Sequence, residues 1–280
     1  MEIIFGLLAA FFSGSAYVLF KRSGQSDSKK YISQALFCFL GFNIYLLFFN
    51  YSFDFKINLF LIAVLSALLA EALPLYALQR GKLAVNSAIF SAYPVFTIIF
   101  SFFINSESVT SLQLLFVGII IVSISILSFL GEKGDNNSLQ GFINLSVIWA
   151  IVAAIATGFS DSISKYFINE TSTMDFLFAL ALAQIPVAFS LYFFEQKSFS
   201  GMFKLDKYTS LGGIFMTLSL IFFWYALTLG VTGIISSVAS VAAVIAIVLS
   251  IIFLKEKISR IQFFLTAITL IAVTFLAVIA

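Results

Sequence analysis

Residues 76–113, YALQRGKLAVNSAIFSAYPVFTIIFSFFINSESVTSLQ, lie without a gap over residues 225–262, YALTLGVTGIISSVASVAAVIAIVLSIIFLKEKISRIQ. Eleven of the thirty-eight positions are identical. Apolar bias supplies some of these matches. It does not supply Tyr, Ala, Leu and Gly opening both copies, nor Glu107 with Glu256 and Gln113 with Gln262. An internal repeat decides the architecture before any other feature. If each copy holds an odd number of membrane crossings, the second enters the bilayer upside down, as in many secondary transporters.

The crossings can be counted. The chain is 61% hydrophobic and 10% charged, with mean hydropathy +1.11, too little polarity to cover a soluble surface. Apolar runs near twenty residues recur from end to end, which predicts an all-α polytopic membrane protein. Spans are expected at about 3–20, 31–51, 57–79, 84–104, 111–130, 142–164, 176–194, 208–229, 234–254 and 261–279. They are numbered 1 to 10 in that order. GEKGDNNSLQ is the most polar stretch and falls mid-chain, so it reads as the boundary between halves. The expected organisation is a first five-helix repeat over 1–130, a loop over 131–140 and a second repeat over 141–280. Five is odd, so the ten transmembrane helices form two inverted repeats.

Loop charges agree with that count. Numbering loops alternately, Lys21, Arg22, Lys29, Lys30, Arg80, Lys82, Lys133, Lys197, Lys204, Lys207, Lys255, Lys257 and Arg260 fall on one side. Only Lys56 and Lys165 fall on the other. Positive loops stay in the cytoplasm, which places both termini outside it.

Composition also removes classes of chemistry. There is no histidine, so His-based acid/base catalysis and His-ligated metal sites are out of reach. The single cysteine, Cys38, permits no intramolecular disulfide. No ATP-binding motif argues for a self-contained pump. Net charge of +2 carries no nucleic-acid footprint. No cleavable signal peptide is apparent, because Glu2 stands where a basic region belongs. No catalytic residue, metal or cofactor is expected. The expected partners are a small-molecule substrate and the lipid bilayer, with the chain a monomer or weak homodimer.

Several polar residues inside the spans call for a reason. Ser13, Tyr17 and Lys21 share one helix face at four-residue spacing, and Thr157, Asp161 and Lys165 repeat the pattern in span 6. Polar groups in lipid-embedded helices turn toward protein or water, so both stripes should face a shared interior. Asp161 could instead pair with Lys165 one turn away. Glu71 lies near the middle of span 3, with no charged neighbour on its own helix. Its repeat equivalent is Leu220, so it is not an architectural acid. An ionised carboxyl at that depth costs about 2.5–3.5 kcal/mol on insertion scales. Glu71 therefore has the character of a proton carrier or a cation site.

The remaining features have structural readings. Glu107 and Glu256 lie just upstream of Thr110-x-x-Gln113 and Ser259-x-x-Gln262, which read as capping boxes opening spans 5 and 10. Ser87 and Ser91 match Ser236 and Ser240 and suggest close helix packing, with ligand contact as the other reading. Pro94 and Pro186 should kink their helices and free carbonyls, one within reach of Gln184. Trp149, Trp224, Tyr76 and Tyr225 could be interface anchors or cavity walls.

The repeated YAL…G…S…PVF…E…Q unit resembles the drug/metabolite transporter superfamily and, within it, the ten-span EamA-type branch. The likeness covers essentially the whole chain, and Ser13-Gly14 and Lys21 stand where the family often has Trp-Gly and a basic residue. It departs at Ala243, opposite Pro94, and in orientation, since the family usually keeps both termini in the cytoplasm. The resemblance implies a non-enzymatic secondary transporter of small organic solutes, such as amino acids or related metabolites. It would work by alternating access in the cytoplasmic membrane, and the position of Glu71 in span 3, independently of the resemblance, points to proton coupling there. A passive facilitator or channel, and a multidrug or organic-cation exporter, are the alternatives. Glu71, Asp161, Tyr17, Ser13, Thr157, Gln184, Lys21 and Lys165 are the expected substrate- or proton-binding residues.

Overall fold

The computed structural model describes residues 1–49, 52–80, 83–108, 145–256 and 259–279, with scattered positions between 110 and 126. Most of span 5, the inter-repeat loop over 131–140, and Lys82, Lys133 and Lys257 lie outside the described residues. So do Gln113 and the side chain of Gln262, hence the capping function expected of them. Among the described residues, eight helices are long and apolar enough to cross a membrane. A further apolar helix, Arg260–Ile279, occupies span 10.

Span 1 is the helix Glu2–Ser23, closed by Gly24 at φ 65°, and span 2 is Asp27–Phe49. Span 6 is Leu145–Glu170. Span 7, Thr173–Gln196, opens where the Ser172 hydroxyl accepts the amide of Asp175 at 3.0 Å. Span 8, Lys207–Leu229, opens on Asp206, whose carboxylate accepts the amide of Thr209 at 2.7 Å. These caps satisfy amides that the helix itself leaves unpaired. Leu47, Phe48 and Phe103 are among the large apolar side chains standing on the outer surface, where lipid is their natural solvent.

Spans 4 and 9 are each broken at the same place in the repeat. Span 4 is Leu83–Phe90 followed by Tyr93–Ile104, and span 9 is Thr232–Ala239 followed by Ala242–Leu249. Pro94 was the expected cause, but Ala243 stands at its equivalent and the break persists. The shared feature is a serine. Ser91 donates its hydroxyl to the Ala88 carbonyl at 2.6 Å, and Ser240 donates to Ser237 at 2.7 Å. A hydroxyl bonded three residues back competes with the helix ladder and bends it. Pro186, by contrast, sits inside span 7 without ending that helix.

The two repeats interleave. Span 1 packs along span 8, while span 6 packs along spans 3 and 4. Span 1 also crosses span 9 just past its break, and span 6 crosses span 4 just past its own. Glycines make both crossings possible. A Cβ on Gly14 would lie 2.5 Å from the Ala242 carbonyl oxygen, and one on Gly158 would lie 2.6 Å from the Thr97 amide. Span 4 begins where span 9 ends, and span 9 begins where span 4 ends, as the contacts of Glu256 and Glu107 described below show. The equivalent helices of the two copies therefore run antiparallel.

Candidate functional site

Span 3 is the only described span 3 or span 8 copy with an irregular register. It runs Ile57–Ser66, then a π-helical turn over Ala67–Ala72, then Leu73–Gln79. The amide of Leu73 reaches back five residues to Leu68. Pro74 explains the change: it has no N–H for the carbonyl four residues back, and its ring crowds that carbonyl. Span 8 has Phe223 at the equivalent position and stays a regular helix. The wide turn frees carbonyls, which neighbouring spans use. Tyr31 donates to Ala67 at 3.0 Å, and Thr157 approaches Leu69 at 3.5 Å. Such single-turn π-bulges are frequent at functional sites.

Glu71 sits in that turn, buried. One carboxyl oxygen, Oε2, accepts from Gln34 Nε2 of span 2 at 2.6 Å and from Gln184 Nε2 of span 7. The other, Oε1, has no partner among the described residues. One expectation changes here, that for Gln184. Glu71 lacks a polar neighbour on its own helix but gains two from other helices. Gln184 spends its amide on Glu71, not on a carbonyl opened by Pro186.

Asp161 does not pair with Lys165. The two part company: Lys165 donates to the carbonyls of Leu227 and Gly230 at the end of span 8. In the first repeat Lys21 does the same, donating to the carbonyl of Gln79 at 2.5 Å at the end of span 3. Each lysine thus serves a helix C-terminus, where positive charge belongs. Neither lines the cavity. Among the described residues Asp161, fully buried, accepts only from Ser236 Oγ at 3.3 Å, and its Oδ1 has no partner.

Glu71, Asp161, Ser13, Tyr17 and Thr157 meet on one cavity of about 100 Å³. Its walls come from both repeats and include Gln34, Ser87, Tyr93, Leu220 and Trp224. Leu220, the repeat equivalent of Glu71, thus borders the same space. Trp224 is a cavity wall, whereas Trp149 packs edge-on against Tyr76 at 5.4 Å. Gln184 stands behind Glu71 and does not border the cavity. Gln34 and Tyr93 were missed from sequence; Gln34 is a polar residue in the first third of an apolar span, which is the signal that could have found it.

The repeated acids cap helices, but not the expected ones. Glu256 accepts the amides of Leu83 and Ala84, both at 3.0 Å, at the start of span 4. Glu107 accepts from the Thr232 hydroxyl at 2.7 Å and its amide at 3.3 Å, at the start of span 9. Spans 5 and 10 were the sequence expectation. Each acid follows a residue in the left-handed region, Ser106 at φ 55° and Lys255 at φ 55°. That turn carries the carboxylate across to the other repeat.

A cavity with two buried carboxyl groups, walled by antiparallel repeats inside a lipid-facing shell, defines a multi-pass membrane protein of the transporter class. The EamA-like transporter family matches residues 1–129 and 144–278, and the chain belongs to that family. A solved structure described only as a crystal structure of protein is similar, with TM-score 0.69 and 12% identity. That match covers 100% of this chain and 97% of the other, and at such identity it shows a common fold alone. No curated protein matches the chain. The protein is a membrane transporter of small solutes.

Proposed function

We propose that the protein is a secondary active transporter of small organic solutes, amino acids or related metabolites, in the cytoplasmic membrane. It works by alternating access, with Glu71 coupling solute movement to protons. The observation that carries this reading is the placement of Glu71: a buried carboxyl at a π-turn, braced by Gln34 and Gln184, with one oxygen left unpartnered beside the cavity. Glutamines brace the side chain without neutralising it, so its proton remains exchangeable. Because the repeats interleave, the moving parts are groups of helices drawn from both halves, not residues 1–130 against 141–280.

The test is uptake into proteoliposomes with and without an imposed pH gradient. Glu71→Gln keeps the shape and an acceptor oxygen for both glutamine amides but fixes a neutral side chain. It is expected to lose pH-driven accumulation while retaining solute exchange, which needs no net proton movement. A variant that accumulates solute with wild-type pH dependence makes Glu71 a tolerated structural acid. A passive facilitator would equilibrate solute in both proteins and concentrate it in neither.

A further inference from the structure

We infer that, of the solutes proposed above, the one taken by this cavity is an amine-bearing metabolite, a small organic cation whose ammonium group is held between Asp161 and Glu71, and not a zwitterionic amino acid; the inference rests on the transporter reading above. Among the described residues the acidic side chains on the cavity wall are these two carboxyls, and no Lys or Arg lines it. Lys21 and Lys165, the lysines of the two stripes, donate instead to backbone carbonyls at helix ends. Each acid is buried and keeps one oxygen without a partner among the described residues. A buried carboxylate is tolerated when a cation and hydrogen-bond donors complete it. An ammonium brings both in one group.

An anionic solute finds no basic side chain among the described lining residues; the donors without a partner there, the Ser87 hydroxyl and Trp224 Nε1, are neutral. The hydroxyls of Ser13 and Ser219 donate to the Ala9 carbonyl, and those of Ser91 and Ser240 donate within their own helices. At the two helix breaks the amides of Ala92, Val95, Val241 and Ala243 are paired with backbone carbonyls. An incoming carboxylate would also meet two acids of its own sign. The apolar part of an ammonium solute is provided for, since Phe90, Tyr93, Phe223 and Trp224 line the same space. Aromatic faces add attraction for a cation and none for an anion.

Trp224 supplies a local reporter. The chain has two tryptophans, and Trp149 lies away from the cavity, so Trp149→Phe leaves emission from Trp224 alone. Purified protein is titrated with butylammonium, butanol and butyrate, which share an apolar chain and differ in charge. Saturable emission change is expected with butylammonium only, and Asp161→Asn is expected to weaken it by about tenfold or more, equivalent to about 1.4 kcal/mol. Equal binding of butanol or butyrate overturns the inference. So does unchanged butylammonium binding by a folded Asp161→Asn protein. The three-ligand comparison needs no carboxyl variant, so it decides the question even where that variant fails to fold. Proteoliposome flux separates the two proposals. Butylammonium that binds but is not moved overturns the transporter reading and keeps the cation site. Coupled uptake of a butyrate-like solute with no butylammonium binding does the reverse.

Discussion

The carboxylate of Glu256 accepts the amide of Leu83 at 3.0 Å, joining the end of span 9 to the start of span 4. Glu107 and Thr232 make the matching contact from span 4 to span 9. Each repeat therefore holds the other's broken helix by its N-terminus, at opposite ends of the bundle. Glu256→Ala leaves two amides of span 4 without that acceptor. The expected loss is about 1 kcal/mol, in the range of a removed helix cap. Thermal inactivation of the detergent-solubilised protein measures it, with Asp54→Ala, an exposed acid, as control. A Glu256→Ala midpoint equal to that of the control refutes the capping role.

Gly14 and Gly158 are expected to tolerate no side chain. A Cβ at either site would press on backbone atoms at 2.5–2.6 Å, which cannot move as a flexible side chain can. Gly158→Ala should cost about 1–3 kcal/mol, the usual range for overpacking. Gly118→Ala is the contrast, since none of the described residues lies within 4 Å of its Cβ position. Equal yields and equal melting of the two variants would show that the span 4–span 6 crossing yields easily.

Orientation follows from loop charge. Thirteen of the fifteen Lys and Arg residues fall on one side of the expected topology, which predicts both termini outside the cytoplasm. A reporter fused after Ala280 should give the non-cytoplasmic phenotype. Cytoplasmic reporter activity reverses the orientation and leaves the helix packing untouched.

Water should reach the cavity during the transport cycle. Single cysteines at Ser13, Tyr17, Thr157 and Asp161, in a Cys38→Ala background, are expected to react with small water-soluble thiol reagents. Cysteines at Phe48 or Phe103, on the lipid-facing surface, should not. Protection by a transported solute would mark the same four positions as its path. Reactivity no greater than at the lipid-facing positions makes the two stripes packing seams.

The sequence by itself determined the helical class, the antiparallel repeat and the place of Glu71 within span 3. Those follow from local quantities: apolar run length, loop charge and the period of a helix, all read from residues near one another in the chain. Pro74 stood in the sequence as well, but only Pro94 and Pro186 were expected to bend their helices, and its effect on span 3 emerged from the structure. What only the tertiary structure decided are the partners. Lys165 sits one turn from Asp161 yet turns to Leu227 and Gly230, because the end of span 8 presents unpaired carbonyls there. Gln184 reaches Glu71 across 113 residues of chain, and Glu256 reaches Leu83 across 173. Polar groups in an apolar medium bond to whatever donor or acceptor the helix crossings bring within reach. Those crossings are fixed by glycines and helix breaks whose opposing surfaces lie in the other repeat, so no local pattern in the sequence names them.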